Sequence, residues 1–249
     1  MSKISLYDFE TEQIDKMFDC KNYLFKNSKH EKIILENETG AKMVRHTIYK
    51  PADITVYKEL AKINSPYLCR ILEVSENSES YVIYEEFCDG MTLTEYLNGG
   101  TISEYDAVNI ACCICQGLYA LHSSNIIHRD IKPDNIIICD DNIVKIIDFD
   151  ISKIFRAEKN ADTQVLGTVG FAAPEQFGLQ QSDPRTDLYS LAILLNVALT
   201  GEHPSVKMCE NKKLLKIIKK CLSINPSDRY NSAEVLFKEL DKVRRRIKK

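Results

Sequence analysis

The sequence lacks the features that would point to a membrane or a nucleic acid. No apolar run approaches the roughly 18 to 20 residues that cross a bilayer, and residues 1–12 contain no apolar segment of the kind found in secretory signals. Lys and Arg number 33 against 36 Asp and Glu, a net charge of −3, so the basic excess of a dedicated nucleic-acid-binding protein is missing. We therefore expect a cytoplasmic protein with no membrane span and no nucleic-acid partner.

A disulfide framework is also missing. The nine cysteines are odd in number and lie scattered along the chain, which fits a reducing compartment. Cys112 and Cys115 form one CxxC pattern, but this pattern lies within a helical apolar periodicity, and no second pair completes the four ligands of a structural zinc site. We interpret these cysteines as small, buried, apolar residues.

The length of 249 residues is enough for one large domain or two small lobes with an apolar core. Up to about residue 86 the apolar residues indicate short β-strands. Residues 23–25 and 33–35 flank a polar tip and predict a hairpin, and Pro51 can open a helix that ends before Pro66. Further strands are predicted at about 41–48, 69–74 and 81–86, which gives a part with five strands and one helix.

From about residue 89 the pattern becomes helical. Ser103, followed by an acidic residue at the third position after it, is typical of a helix start, and Gly201 is typical of a helix end. Apolar periodicity predicts helices at 107–122, 185–200, 212–222 and from 232 onwards, with short strands at 136–139 and 143–147. The sequence therefore predicts an α+β protein whose first part is β-rich and whose second part is mainly helical.

Two short motifs carry chemistry. Residues 128–135 read HRDIKPDN, and residues 148–150 read DFD. Phosphoryl transfer needs a carboxylate that orients the attacking hydroxyl, a cation near the transferred phosphate, and oxygen ligands for Mg²⁺. Asp130 and Lys132 suit the first two roles, and Asn135 and Asp148 suit the third. The predicted hairpin between these last two residues allows the chain to return the second metal ligand beside the first.

These motifs resemble those of the eukaryotic-type (Hanks-type) Ser/Thr protein kinases, particularly the small bacterial members. The resemblance covers about residues 23–240 and is strongest from His128 onwards. It implies a two-lobed protein kinase fold with a β-rich N-lobe, one main N-lobe helix and a mainly helical C-lobe. On this resemblance the whole chain, 1–249, is one kinase domain, with the N-lobe at about 1–87, the hinge at about 86–91 and the C-lobe at about 92–249.

Several residues after the catalytic motif also match the family. Residues 167–175 (GTVGFAAPE) resemble the end of an activation segment. Asp187 resembles the buried helix residue that braces the catalytic loop, and Arg229 resembles the arginine that pairs with Glu175. The resemblance implies a structural role for these three residues. Lys132, two residues after Asp130, resembles the Ser/Thr class of the family.

The resemblance also implies where ATP and its metal ion bind. Residues 85–93 look like the hinge, with Glu85 as the gatekeeper. The backbone of Glu86 and Cys88 is then expected to meet the adenine edge, and Asp89 to lie toward the ribose. The ATP-binding set implied by the resemblance also includes Ile137 and Asp148, and Mg²⁺ or Mn²⁺ is expected at Asn135 and Asp148.

The chain departs from the family at the expected phosphate-binding loop. No glycine occurs before Gly40, although glycine normally lets the backbone of this loop approach the phosphates closely. Lys29 and His30 lie at the hairpin tip instead, with Lys26 and Lys32 flanking it. Side-chain charge can substitute for the amide contacts, or the segment is an ordinary polar hairpin.

The strand lysine of the family is replaced as well. Within residues 41–46 (AKMVRH) the candidates for its position are Arg45, His46 and Lys42, and a one-residue change of register sends a side chain to the opposite sheet face. We select Arg45 as the ATP-binding residue because its guanidinium can bind phosphate oxygens with two hydrogen bonds. Its acidic partner is expected on the helix after Pro51, where Val56 is closest by spacing and Asp53 or Glu59 would need a shifted helix.

The third departure is Asp150, which replaces the glycine of the family's Asp-Phe-Gly motif. A side chain there limits backbone rearrangement, although aspartate tolerates unusual dihedral angles better than most residues. Asp150 is also a candidate for an additional carboxylate near the metal ions.

Two residues of the activation segment are candidate phosphorylation sites. Thr163 is the first, because it lies in the polar middle of the segment between Asp148 and Glu175. Thr168 is the weaker candidate, because the resemblance places its hydroxyl against Asp130 and Lys132, where it helps to shape the catalytic loop. Arg129, together with Lys153 or Arg156, is expected to form a cationic pocket for a phosphate on this segment.

The resemblance implies an enzyme that transfers the γ-phosphate of ATP to Ser or Thr hydroxyls of a protein substrate, which the sequence does not identify. Its regulator is expected to be intramolecular or a soluble partner. Two alternatives stay open. The altered N-lobe favours a pseudokinase that acts as a nucleotide-sensing or scaffolding module, and a small-molecule phosphotransferase is disfavoured by Lys132 and by the activation-segment motif.

Overall fold

A computed structural model describes residues 13, 14, 16–141, 143–155, 167–177 and 181–247. The chain divides into two compact units. The first unit contains the described residues up to Asn64 together with Cys69–Cys88, and the second contains Ser65–Leu68 and the described residues from Asp89 onwards. The predicted fold class is confirmed: a β-sheet unit precedes a mainly helical unit.

The first unit is built on an antiparallel sheet of five strands with the order β1-β2-β3-β5-β4. Asparagine side chains stabilise three of its turns. The side-chain oxygens of Asn27, Asn37 and Asn77 each accept hydrogen bonds from backbone amides of the turn that follows, and this local bonding favours a tight turn. The strands are β1 (Asp19–Lys26), β2 (His30–Glu36), β3 (Lys42–Tyr49), β4 (Ile71–Glu76) and β5 (Ser80–Glu86).

Side chains of this sheet alternate between its two faces, as the β-strand period requires. One face carries a buried apolar cluster of Ile33, Leu35, Val82 and Tyr84, against which Met43 packs. On β3 the opposite face buries its own set, namely Val44, His46 and Ile48.

Helix α1 (Thr55–Leu60) of the first unit is shorter than the sequence predicted. The carboxylate of Asp53 accepts hydrogen bonds from the backbone amide and hydroxyl of Thr55, so the helix begins there and Pro51 lies outside it. Tyr57 and Leu60 are its buried residues. The prediction that Pro51 opens this helix is therefore wrong, because an aspartate–threonine contact sets the start.

The second unit is organised around helix α4 (Pro184–Thr200), most of whose residues are buried. Asp183 caps its start, and Gly201, with a φ of 72°, ends it in the left-handed conformation that suits glycine. Ser103 caps α3 as predicted. The helices of this unit are α2 (Leu93–Leu97), α3 (Glu104–Ser123), α4 (Pro184–Thr200), α5 (Lys212–Cys221) and α6 (Ala233–Arg244).

Two small antiparallel sheets complete the second unit. One has the strand order β6-β8-β9, and the other pairs β7 with β10. The sequence predicted β8 and β9, but β6, α2, β7 and β10 were not recognised. Thr92 and Glu95 form a reciprocal capping box at the start of α2. The strands are β6 (Gly90–Thr92), β7 (Ile126–Ile127), β8 (Ile136–Cys139), β9 (Val144–Ile146) and β10 (Lys153–Ile154).

Among the residues that the structure describes, no helix combines the length and the apolar character that crossing a membrane requires.

Helix α3 approaches its neighbours closely at Gly117. A Cβ atom at this position would lie 2.8 Å from the Cδ1 atom of Ile146 and 2.9 Å from the backbone oxygen of Tyr67. Both distances are shorter than van der Waals contact, so a side chain would displace the helix from these neighbours. Glycine is therefore required here by packing and not by backbone conformation.

Replacement of Gly117 by alanine is expected to lower the free energy of unfolding by about 1 to 3 kcal/mol. This loss outweighs the higher helix propensity of alanine, about 1 kcal/mol. Gly99→Ala is the matched control, because the Cβ there meets its nearest atom at 3.8 Å, and we expect a change of less than about 0.5 kcal/mol. Urea unfolding of both variants measures the difference. Equal stability of the two variants would show that α3 is not held closely at Gly117.

Candidate active site

The loop of residues 128–135 is fixed by one buried carboxylate. Asp187, near the start of α4, has no exposed surface. Its Oδ2 atom accepts a hydrogen bond from the backbone amide of His128 at 3.0 Å, and its Oδ1 atom accepts one from the amide of Arg129 at 2.8 Å. The Nε2 atom of His122, in the last turn of α3, lies 2.8 Å from Oδ2. Two helices thus hold the start of the loop through a single side chain.

The charge of Asp187 is stabilised by these contacts. Burial opposes ionisation of the carboxyl group, but the hydrogen bond and positive potential of His122, with the charge of His128 and the amide of Arg129, outweigh it. The pKa of Asp187 therefore lies below its usual value, and the group is a carboxylate at neutral pH.

Asp130, Lys132 and Thr168 form a closed triangle of hydrogen bonds. The Nζ atom of Lys132 donates to Oδ2 of Asp130 at 2.8 Å and to the hydroxyl of Thr168 at 2.8 Å. The Thr168 hydroxyl donates to Oδ1 of Asp130 at 2.7 Å. The structure therefore brings together the carboxylate and the cation that the sequence proposed for phosphoryl transfer, and it adds the threonine that the family resemblance placed beside them.

The environment of Asp130 favours its ionised form. Partial burial opposes ionisation, but the hydrogen bonds from Lys132 and Thr168 and the charges of Lys132 and His128 have the larger combined effect, so the pKa of Asp130 lies below its usual value. The carboxylate is thus held in the charge state that can attract and orient a hydroxyl group.

Asn135 and Asp148 lie next to each other because β8 and β9 pair between them. The amide of Ile147 donates to the backbone oxygen of Asn135 at 3.0 Å. The Nδ2 atom of Asn135 donates to the backbone oxygen and to Oδ2 of Asp130 at 2.9 and 3.0 Å. Since the amide nitrogen is committed to Asp130, the amide oxygen is the atom left to act as a ligand. Carboxylate and amide oxygens suit Mg²⁺ or Mn²⁺, so this pair fits the expected cation.

Arg129 joins the loop to two neighbouring segments. Its φ of 68° is unusual for a residue other than glycine. Its Nε atom donates to the backbone oxygen of Ile151 at 2.7 Å, and its own backbone oxygen accepts from the side chain of Gln176 at 2.8 Å. The sequence did not indicate this role of Gln176.

The phosphate pocket expected for Thr163 was to consist of Arg129 with Lys153 or Arg156. Thr163 and Arg156 lie outside the described residues.

Glu175 and Arg229 form a buried, bidentate ion pair. The guanidinium donates from Nη1 to Oε1 at 2.7 Å and from Nη2 to Oε2 at 2.8 Å. Thr186 donates to the same Oε1 atom, and the guanidinium carbon lies 4.9 Å from the centre of the Tyr189 ring. The backbone oxygens of Ser223, Ile224 and Arg185 also accept hydrogen bonds from Arg229. Geometry of this kind stabilises charges that are removed from water.

In the first unit, the register of β3 determines which sheet face carries Arg45, the residue selected in place of the strand lysine. Arg45 lies opposite Ile33 and Tyr84, on the face of the apolar cluster. His46 lies on the other face, is fully buried, and contacts Tyr57 of α1, the helix that was expected to supply the lysine's partner. Lys42 is exposed at the strand start, over the ring of Phe87.

The acidic partner of His46 comes from β5 and not from α1. The Nδ1 atom of His46 lies 3.2 Å from Oε1 of Glu85, and its Nε2 atom lies 3.0 Å from Nδ1 of His30. The sequence proposed Asp53 or Glu59 for this role. Asp53 instead binds the start of α1, and Glu59 forms a surface pair with Lys62. A chain of one carboxylate and two imidazoles therefore lies on this sheet, with Glu85 and His46 buried and His30 half-buried.

The residues proposed to contact the adenosine lie in several elements. The backbone oxygen of Glu86 accepts a hydrogen bond from the thiol of Cys69 at 3.3 Å. Cys88, the last residue of the first unit, is half-buried. In the second unit, the backbone oxygen of Asp89 accepts from the amide of Asp140 at 3.3 Å, and Ile137 is half-buried on β8, opposite Thr92. Asp150 is exposed.

A loop that combines an aspartate, a lysine and an asparagine, braced by a buried aspartate and followed by a second metal-ligand candidate, defines a protein kinase domain. The family model of the protein kinase domain matches residues 32–240. The chain belongs to this family, and the resemblance inferred from the sequence is confirmed.

Curated relatives of the chain are bacterial serine/threonine-protein kinases. A probable serine/threonine-protein kinase of Clostridium perfringens is 30% identical over 210 residues, which cover 75% of this chain and 31% of that protein. The serine/threonine-protein kinase PknB of Mycolicibacterium smegmatis is 31% identical over 213 residues, with coverage of 74% and 34%. PknL of Mycobacterium tuberculosis is 33% identical over 149 residues, with coverage of 59% and 37%. The aligned part of the chain thus spans about a third of the length of these relatives.

Loss of the Glu175 carboxylate is expected to destabilise the second unit strongly. In Glu175→Gln the buried guanidinium of Arg229 loses its counter-charge, and breaking such a pair costs about 3 to 5 kcal/mol. Glu234→Gln is the matched control, because Glu234 pairs with Lys238 at the surface, with side-chain exposures of 53% and 62%, and such a pair contributes less than about 0.5 kcal/mol. Chemical unfolding measures both changes. Similar small losses in the two variants would mean that other bonds alone hold Arg229.

Proposed function

We propose that this protein is an ATP-dependent Ser/Thr protein kinase, which transfers the γ-phosphate of ATP to the hydroxyl of a protein serine or threonine. The observation that carries the proposal is the arrangement of Asp130, Lys132, Asn135 and Asp148 in the second unit. A scaffolding module would have no need for all four side chains in this arrangement. The names of the relatives support protein serine/threonine as the acceptor class.

The chain's own residues account for the transfer step. Asp130, held as a carboxylate, accepts the hydrogen bond of the incoming hydroxyl, orients it toward the phosphorus and takes up its proton as the oxygen–phosphorus bond forms. The bond between the γ-phosphorus and the bridging oxygen breaks, and ADP leaves. The ammonium group of Lys132, 2.8 Å from Asp130, stabilises the negative charge on the transferred phosphoryl group.

Asn135 and Asp148 would hold the metal ion through their side-chain oxygens. A bound Mg²⁺ or Mn²⁺ neutralises phosphate charge. Asn135 has a second function, since its amide nitrogen fixes the Asp130 side chain at 3.0 Å. We also propose that Glu86, Cys88, Asp89 and Ile137 contact the adenosine, as in the family, and that His46 replaces the strand lysine.

Regulation and location belong to the same proposal. We propose that the protein acts in the cytoplasm and responds to a soluble partner or to its own phosphorylation. Thr163 stays the predicted phosphorylation site. Thr168 is less suited to modification, because its hydroxyl is engaged by both Asp130 and Lys132.

Phosphoryl transfer by Asp130→Asn is expected to fall by roughly 10²- to 10⁴-fold, the usual contribution of a positioned acid or base. The test incubates purified protein with labelled ATP, with Mg²⁺ or Mn²⁺, and with myelin basic protein as a generic acceptor. Asp134→Asn is the matched control, because Asp134 lies in the same loop but is exposed and binds Thr94, and its activity should stay within a few-fold of the parent.

Two outcomes of this experiment would contradict the proposal. Activity of Asp130→Asn close to that of the parent would remove Asp130 from the mechanism. Absence of transfer by the parent protein with either metal would favour the pseudokinase alternative, and transfer only to small molecules would favour the phosphotransferase.

Metal dependence provides a separate prediction. Asp148→Ala is expected to lose the rise in melting temperature that ATP gives only in the presence of Mg²⁺ or Mn²⁺, because a ligand stabilises the folded protein less when it binds more weakly. Asp140→Ala, which removes an exposed carboxylate beyond β8, is the control and should keep the full shift. A normal metal-dependent shift in Asp148→Ala would place the cation elsewhere.

A further inference from the structure

The turn that follows Thr168 is bound at both ends. Thr168 itself is held by the hydrogen bonds with Asp130 and Lys132, and the other end is bound by His203, which lies outside the family motifs. The backbone oxygen of Gly170 lies 3.0 Å from Nε2 of His203. His203 lies after the end of α4, in the segment that leads to α5. This contact joins the activation-segment motif to a distant part of the chain.

The turn is closed by the backbone amides of Phe171 and Ala172, which both donate to the oxygen of Thr168 at 3.0 Å, but these bonds do not engage the oxygen of Gly170. Gly167 and Gly170 have φ angles of 118° and 92°, a conformation that glycine adopts easily and that leaves the backbone free to change. A Cβ atom added at Gly170 would meet no atom within 4 Å, so side-chain packing does not restrain this residue. Val169 is 89% exposed. The bond from His203 is therefore the contact that fixes this carbonyl among those the structure describes.

The imidazole of His203 is itself held in one orientation. Its Nδ1 atom accepts a hydrogen bond from the amide of Ser205 at 3.2 Å and lies 2.7 Å from the Ser205 hydroxyl. Because Nδ1 accepts from an amide, the ring hydrogen lies on Nε2 and is donated to Gly170. A histidine whose second nitrogen is bound in this way presents its donor in a fixed direction.

The segment that carries His203 is anchored to α4. Asn196, which has no exposed surface, donates to the backbone oxygens of Glu202 and Lys207 at 2.9 and 2.8 Å and accepts from the amide of Cys209 at 3.1 Å. A buried side-chain amide with its hydrogen bonds satisfied holds a loop rigidly. The position of His203 is thus set by the same helix that carries Asp187.

From this geometry we propose that His203 is a positioning residue for the protein substrate: it holds the turn at Val169 and Gly170 against which the acceptor lies when its hydroxyl reaches Asp130. The inference rests on the proposed function. Thr168 contacts Asp130 at 2.7 Å, so an acceptor protein that places a hydroxyl at Asp130 comes close to Thr168 and to the turn that follows it. ATP and metal are handled by other side chains.

The test compares His203→Ala, His203→Gln and Lys207→Ala in steady-state assays with myelin basic protein and with ATP varied separately. For His203→Ala we expect the KM for the protein acceptor to rise about three- to ten-fold, the effect of losing one hydrogen bond, while kcat, the KM for ATP and the rate of ATP hydrolysis without acceptor change less than two-fold. His203→Gln should restore the parent KM, since its amide can donate to Gly170. Lys207→Ala changes an exposed side chain of the same segment and should match the parent.

Hydrogen–deuterium exchange supplies a readout that does not depend on activity. His203→Ala should exchange faster than the parent in residues 167–173 and equally in residues 128–135. If the parent transfers no phosphate, the proposed function fails, and exchange alone decides whether His203 positions the turn. An unchanged acceptor KM in an active parent, an equal loss of ATP hydrolysis, failure of His203→Gln to restore the KM, or unchanged exchange at 167–173 would each overturn the inference.

Discussion

The carboxylate of Asp187 is the interaction on which the catalytic half of the molecule depends. Two adjacent backbone amides, those of His128 and Arg129, point at it within 3.0 Å. Adjacent amides can converge on one acceptor only if the backbone turns sharply, and the positive φ of Arg129 provides that turn. Without acceptors at this place both buried amides would be unsatisfied, which is costly. The loop conformation that positions Asp130 therefore depends on the two oxygens of the buried Asp187 carboxylate.

Helix α4 extends this constraint to the rest of the site. Asp187 binds the catalytic loop, Ser190 donates to the backbone oxygen of Phe171 at 2.9 Å, and Asn196 anchors the segment after the helix. These three polar side chains lie on a helix that is otherwise largely apolar and buried. Each binds a different non-helical segment, so the relative positions of the segments follow from the rigid spacing of a helix. The loops and turns of the site are thereby held in place by hydrogen bonds to a helix.

The parts of the site that could be predicted are those encoded over short sequence distances. Asp130, Lys132 and Asn135 lie within one short stretch, so their order alone brings them together once the loop turns. The residue of β3 that takes the place of the strand lysine could not be predicted in this way. Neighbouring residues of a strand face opposite sides of the sheet, and the sequence does not determine which residues face which side. A usable signal was present: Val44 and Ile48 flank His46 with strand periodicity, which indicates that all three lie on one buried face.

The contact between His46 and Glu85 bears on whether the family's strand lysine has been lost without compensation or has been replaced by other residues. A carboxylate in a buried strand is costly unless it is paired, and Glu85 is only 6% exposed. A lysine at position 46 would satisfy it as a flexible point charge. Histidine satisfies it within a fixed ring and uses its other nitrogen to bind His30 at 3.0 Å. Removal of Glu85 or of His30 would leave one nitrogen of the buried His46 ring without that partner. Under the proposed function, in which His46 takes the place of the family's lysine, the position of its ring therefore depends on residues of two other strands.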